Sequence, residues 1–142
     1  MESVSRCCWR INKCSQRFWN ARCMTHGIGI GQVPFLSLLF RKENLSQEEI
    51  TGALSIDKAA VTKAAVKLLG MRLIERREDP ADARVRRITL TGKGRALEPF
   101  LSGLETEWDS RLLAGFSAAE RETLRALLAR VRDNAVSANE RE

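Results

Sequence analysis

Two groups of residues in the middle of the chain have types and spacing that could do chemistry, and that chemistry is charge neutralisation rather than bond breaking. The first is Lys58, Ala59, Ala60, Thr62 and Lys63. On a helix they lie mainly to one side, so two ammonium groups and a hydroxyl stand beside methyl side chains small enough to let a backbone approach base edges. The second is Arg77, Arg84, Arg86 and Arg87, set around Asp79-Pro80-Ala81-Asp82-Ala83. Guanidinium groups at such a tip suit phosphate oxygens, or the narrow minor groove of A·T-rich duplexes where the negative potential deepens. Most charged helix faces are only solvated. The place of the first group at the start of a second short helix argues for contact instead.

The elements that must hold these groups run from Leu45 to Leu90. Ser46-Gln47-Glu48-Glu49 is a capping box that opens a short helix, with Ile50, Ala53 and Leu54 on one face. Ser55-Ile56 makes a tight turn and Asp57 caps a second helix, whose Val61, Ala64, Ala65 and Leu68 share the inward side. Residues 72–77 and 85–90 form two short strands with Leu73, Ile88 and Leu90 facing the core, joined by the Asp-Pro turn. Two short helices followed by a basic hairpin are a winged helix-turn-helix: the second helix enters the major groove and the hairpin presses arginine toward the minor groove. Arg77, Arg86 and Arg87 then touch phosphate and position the protein, whereas Thr62 and Lys63 set sequence preference.

Here the chain resembles the MarR family of bacterial transcriptional regulators. The resemblance rests on Leu45-Ser46-Gln47-Glu48-Glu49, on Asp57-Lys58 with Val61-Thr62-Lys63, and on Leu73-Ile74-Glu75-Arg76-Arg77. It extends through the wing Asp79-Pro80-x-Asp82-x-Arg84 to Leu90-Thr91-x-Lys93-Gly94. The pattern occurs in the family's order, and the flanking helices extend it over nearly the whole chain. Arg72 departs from it, standing where the family usually has Gly before the first wing strand, and Ala83 takes the place of a second wing arginine. The resemblance implies an arginine at the wing tip, here Arg84, steadied by Asp82. It also implies a homodimer built from the terminal helices, and a pocket for a small aromatic or amphipathic effector that Trp9, Trp19, His26 and Phe35 would line.

The rest of the chain fits a mainly α fold with a small β-hairpin wing, in one domain of 142 residues. Residues 31–95 make the winged helix-turn-helix part, and 1–30 with 96–142 the helical dimerisation part. Residues 3–24 form one amphipathic helix on which Val4, Cys7, Cys8, Ile11, Cys14 and Phe18 recur at helical spacing. His26 to Gly31 is a flexible connection, and 32–41 a core helix with Val33, Leu36 and Leu39 or Phe40 inward. Thr91 caps a long helix to about Ala114. Ser117-Ala118-Ala119-Glu120 opens a last helix carrying Leu124, Leu127, Leu128 and Val131, and the tail frays from Ser137. One subunit offers too little surface to cover these terminal stripes, which again argues for a dimer.

Charge and cysteine content bound the function. Net charge is +6. Residues 57–95 hold eleven Lys/Arg against five Asp/Glu, the balance a phosphate-binding surface requires. Four cysteines, at 7, 8, 14 and 23, lie in one helix with no second cluster to bridge, so a disulfide framework is not expected and a reducing cytoplasm is. No apolar run is long enough to span a membrane. Cysteine spacing and a single His match no metal site, Gly27-x-Gly29-x-Gly31 is not a dinucleotide loop, and no nucleophile has an oriented base. No enzyme, metal or cofactor is expected. Two rivals to a DNA-binding regulator stay open: a winged helix that binds only protein, and a regulator sensing oxidants through Cys8 or Cys23, which lie off the centre of the apolar stripe.

Overall fold

The computed structural model describes residues 1–140, which fall into two compact units, residues 1–105 and the described residues from 106 onward. In the first unit α1 (Val4–Cys23) is capped by Ser3, whose hydroxyl accepts from the Arg6 N–H, and runs into a 3-10 turn, Met24–His26. Residues 26–31, expected as a flexible connection, are held in place, His26 by the 3-10 turn and the rest by the core beside α2. Ile28 is wholly buried, and Gln32, itself buried, accepts the Gly29 N–H at 2.8 Å. A polar side chain thus satisfies a backbone donor next to the core. Helix α2 (Val33–Arg41) carries Pro34 in its first turn, where its missing N–H costs no hydrogen bond, and buries Val33, Phe35, Leu36 and Leu39.

Next come β1 (Leu45–Ser46), α3 (Gln47–Leu54) and α4 (Lys58–Gly70). The expected caps are all present. Ser46 and Glu49 close a capping box, and Asp57 accepts the Ala60 N–H at 2.8 Å. Only Ile50 of the three apolar positions expected on α3 is buried; Ala53 is exposed and Leu54 half-buried. Val61, Ala64, Ala65 and Leu68 of α4 are all in the core, as their spacing predicts. Strands β2 (Ile74–Glu78) and β3 (Arg86–Leu90) form the wing, starting slightly later than expected. The sheet order is β1-β3-β2, all antiparallel, with Ile74 opposite Leu90, Arg76 opposite Ile88, and Leu45 also opposite Ile88. Leu73, Ile88 and Leu90 are buried as predicted.

The long helix expected from Thr91 to about Ala114 is broken into α5 (Gly92–Arg95) and α6 (Glu98–Leu112). Pro99 gives the reason: it has no N–H and its ring would clash with the Arg95 carbonyl in a continuous helix. Thr91 still caps, accepting the Gly94 N–H at 3.0 Å. In the second unit Ser117 and Glu120 form the expected capping box at the start of α7 (Ala118–Asn139), which continues past Ser137 instead of fraying there. No side chain of α7 is buried in the chain. No helix among the described residues is long and apolar enough to cross a membrane.

Candidate nucleic-acid interface

One side of α4 is sealed into the core and the other is open. Lys58, Ala59, Ala60, Thr62 and Lys63 are all exposed, while Val61, Ala64, Ala65 and Leu68 beneath them are buried. Among the described residues neither Lys58 nor Lys63 is paired with a carboxylate, so both ammonium groups are available to an anion. The Asp57 cap and the inward apolar stripe together fix which way this face points. Val66 is also exposed on α4, at 60%, though the residue types alone did not single it out.

The wing carries its charge differently. Its turn is closed by aspartate: Asp79 accepts the Ala81 N–H at 2.7 Å, and Asp82 accepts the Arg84 N–H at 3.0 Å. Asp82 also takes the Arg84 guanidinium on both oxygens, at 3.0 and 3.1 Å, with the Arg84 side chain 90% exposed. That fork, followed by the backbone N–H, holds the Asp82 carboxyl below the usual carboxylate range. Arg84 is therefore pre-aimed at the tip while its outer face remains open. Arg86 pairs with Glu78 at 2.7 Å and Arg77 pairs with Glu75. These pairs are exposed, so water screens them and a phosphate can displace the carboxylate at little cost.

Arg87 departs from expectation. Its side chain is only 25% exposed and is held by Asp79 at 2.6 Å and by Glu49, so it ties the wing to the start of α3. With two carboxylates on a half-buried guanidinium, Arg87 is a positioning group, which corrects its assignment to phosphate. The Glu49 carboxyl is held down first by the Ser46 backbone N–H and further by Arg87. The Asp79 carboxyl is held down first by the Ala81 N–H and then by Arg87.

Two residues of this surface were not anticipated. Gln47, the first residue of α3, donates from Nε2 to the Thr62 hydroxyl and accepts from Arg76 Nη2 at 3.3 Å. Arg76 lies on the same face of β2 as buried Ile74, two residues on, so its side chain reaches over the helices rather than outward. The contact spans 29 residues of sequence, and no local pattern announces it.

The residues assigned to an effector are dispersed. Trp9 is 60% exposed on α1, about 20 Å along the helix from Cys23. His26 is exposed and stacks on Phe100 with ring centroids 4.0 Å apart, while Trp19 is half-buried against the edge of Phe18. Phe35 is 1% exposed and belongs to the core, which corrects its assignment to a ligand wall. The cysteines also redistribute. Cys7, Cys8 and Cys14 are exposed in the chain, whereas Cys23 is buried and burial pushes its thiol pKa up. A reactive thiol needs the opposite environment, so Cys23 is removed as a redox candidate and Cys8 remains.

Known proteins agree with this geometry. The MarR family profile matches residues 30–85, the stretch that includes α2, α3, α4, the first wing strand and the wing turn. An uncharacterized HTH-type transcriptional regulator of Bacillus subtilis, YdgJ, is 32% identical over 76% of this chain. The match spans 66% of that protein, just under two thirds of its length. The HTH-type transcriptional regulator BilQ of Clostridium symbiosum is 31% identical over 78% of this chain and 77% of its own. A MarR transcriptional regulator from Methanosarcina mazei, known as a crystal structure, superposes with a TM-score of 0.89 at 29% identity, covering 95% of this chain and 97% of the other. With matching sequence, helix order and wing, the chain belongs to the MarR family of winged-helix transcriptional regulators.

Proposed function

We propose that the chain is a sequence-specific DNA-binding repressor that grips a palindromic operator as a homodimer and is released by a small effector in the cytoplasm. The observation that carries this reading is the open face of α4, with two uncommitted lysines, two alanines and a threonine, next to a wing whose tip arginine is pre-aimed by Asp82. Lysines and wing arginines neutralise phosphate; Thr62 and its small neighbours meet base edges. Residues 31–95 supply the DNA-binding part, and 1–30 with 96–142 the dimer part. Exposed apolar side chains on α1 (Val4, Trp9 and Ile11) and on α7 (Leu127, Leu128 and Val131) support a second copy as their cover. A small aromatic or amphipathic effector would act by favouring dimer geometries in which the two recognition helices no longer match one turn of DNA. Trp9, Trp19 and His26 are its remaining candidates.

Binding to duplex DNA measured against salt tests this reading. Each neutralised phosphate releases counterions, so log K should fall steeply and linearly with log salt. Arg84→Ala should weaken specific binding and, with one cation fewer on the DNA surface, lower the slope by about one unit. Binding that is weak, flat in salt and blind to sequence would leave a protein-binding winged helix. Exposure of Cys8 beside Cys7 supports a second reading, oxidant release. There, peroxide should free the DNA and Cys8→Ser should not respond.

A further inference from the structure

We infer that Arg76 and Gln47 fix the hydrogen-bonding polarity of Thr62, so that its hydroxyl meets the major groove only as an acceptor and selects an exocyclic amine, adenine N6 or cytosine N4, on the contacted strand. The inference rests on the DNA-binding reading and extends it to the chemistry of one base contact.

The argument follows the donors in order. A guanidinium has donors and no acceptor, so Arg76 Nη2 can hold only the oxygen of the Gln47 amide, which it does at 3.3 Å. With Oε1 turned to Arg76, Gln47 presents Nε2 to Thr62, and an amide NH2 can only donate there. The flipped amide would set two donors face to face at Arg76. Thr62 Oγ1 must therefore accept from Gln47, and its own proton goes to the Lys58 carbonyl at 2.9 Å. A hydroxyl has one proton and two lone pairs. The proton and one lone pair are committed, which leaves one lone pair uncommitted on an exposed residue of α4. In the major groove the amines of adenine and cytosine are donors, whereas guanine O6 and thymine O4 are acceptors. An acceptor-only hydroxyl therefore favours A or C over G or T on the strand it faces.

Arg76 and Gln47 act through Thr62 and need touch no base, so they are positioning residues. Without them the Thr62 proton could swing away from Lys58, and the hydroxyl could donate as well as accept.

The test is selection of bound sequences from a random duplex pool with the wild-type chain and with Thr62→Val, Thr62→Ser and Gln47→Ala. The wild type should recover a motif with one position per half-site where A or C exceeds G or T by roughly fivefold, the size of one hydrogen bond's net worth. Thr62→Ser keeps the hydroxyl and should keep that preference. Thr62→Val should flatten it. Gln47→Ala should admit G or T at the same position while the salt dependence of binding stays as in the wild type. A wild-type preference for G or T at the position that Thr62→Val alters would overturn the inference. So would base frequencies unchanged in both Thr62→Val and Gln47→Ala, and in either case DNA binding would stand. A wild-type chain that recovers no motif would overturn the inference and the DNA-binding reading together.

Discussion

Arg72 shows how one residue can carry a conformational cost that its neighbours outweigh. Its φ is +58°, in the left-handed region that favours glycine, at the position where the family pattern has Gly. The chain must turn there because α4 ends at Gly70 and β2 begins at Ile74, with the Arg72 carbonyl accepting the Thr91 hydroxyl at 2.7 Å. The departure seen in the sequence therefore changed the residue and left the turn in place. For a non-glycine residue this conformation costs roughly 1–2 kcal/mol, while glycine adds roughly 0.4–1 kcal/mol of unfolded-state entropy. Arg72→Gly should thus stabilise by about 0.5–1 kcal/mol, read as a higher urea midpoint with an unchanged slope. Gly94 is the opposite case. A Cβ there would stand 2.0 Å from the Leu73 carbonyl oxygen, which accepts the Thr91 N–H and cannot yield as a side chain could. Gly94→Ala should destabilise by roughly 3 kcal/mol, the upper end for overpacking, visible as a lowered melting temperature. The Leu-Thr-x-Lys-Gly pattern contained that glycine, but only the close approach of the strand end explains it.

Among the elements, what could be read from the sequence was what a few adjacent residues decide. Caps at Ser46, Asp57, Thr91 and Ser117 each depend on a side chain reaching a backbone N–H three residues on, and each formed. The inward face of α4 follows from its period alone. Strand β1 was missed because two residues leave no alternation to detect, and Ile28 because its flanking glycines suggested slack. The break before α6 was signalled by Pro99 but overridden by the apolar stripe. Arg87 was misassigned for a further reason: its partners Glu49 and Asp79 lie 38 and 8 residues away, and spacing cannot show that it is shared between them. That pairing makes wing attachment depend on pH. Both carboxyls sit below their ordinary values, so the stability they contribute is complete above about pH 4, the unfolded carboxylate range, and is lost as pH falls through the lower folded values. Backbone N–H groups of Ser46 and Ala81 are the larger causes and survive substitution. Arg87→Ala should therefore remove part of this dependence. Its urea midpoint should lie below wild type at pH 7, and the gap should narrow by pH 3.

At the scale of the whole molecule, the question is why a protein of this size leaves so much apolar surface in water. In the single chain Val4 is 64% exposed and Ile11 44%, seven residues on along α1, while Leu127 at 49%, Leu128 at 50% and Val131 at 40% share one side of α7, so they recur at helical spacing rather than singly. Two-fold pairing through such faces would bury them and would also double the α4 faces and Arg84 tips offered to one duplex. The two effects can be separated by experiment. Leu128→Glu places a charge on the α7 stripe and alters no residue of α4 or the wing, and no side chain of α7 is buried in the chain, so the fold itself should survive. Sedimentation should then find a dimer for the wild type and a monomer for the variant. Because the salt slope of DNA binding counts the phosphates neutralised, the slope should fall to about half and palindromic sites should lose their advantage over single half-sites. A variant that stays dimeric would show that α7 is not the interface. One that becomes monomeric with an unchanged slope would show that a single winged helix makes all the phosphate contacts, and that the apolar faces serve some purpose other than pairing recognition helices.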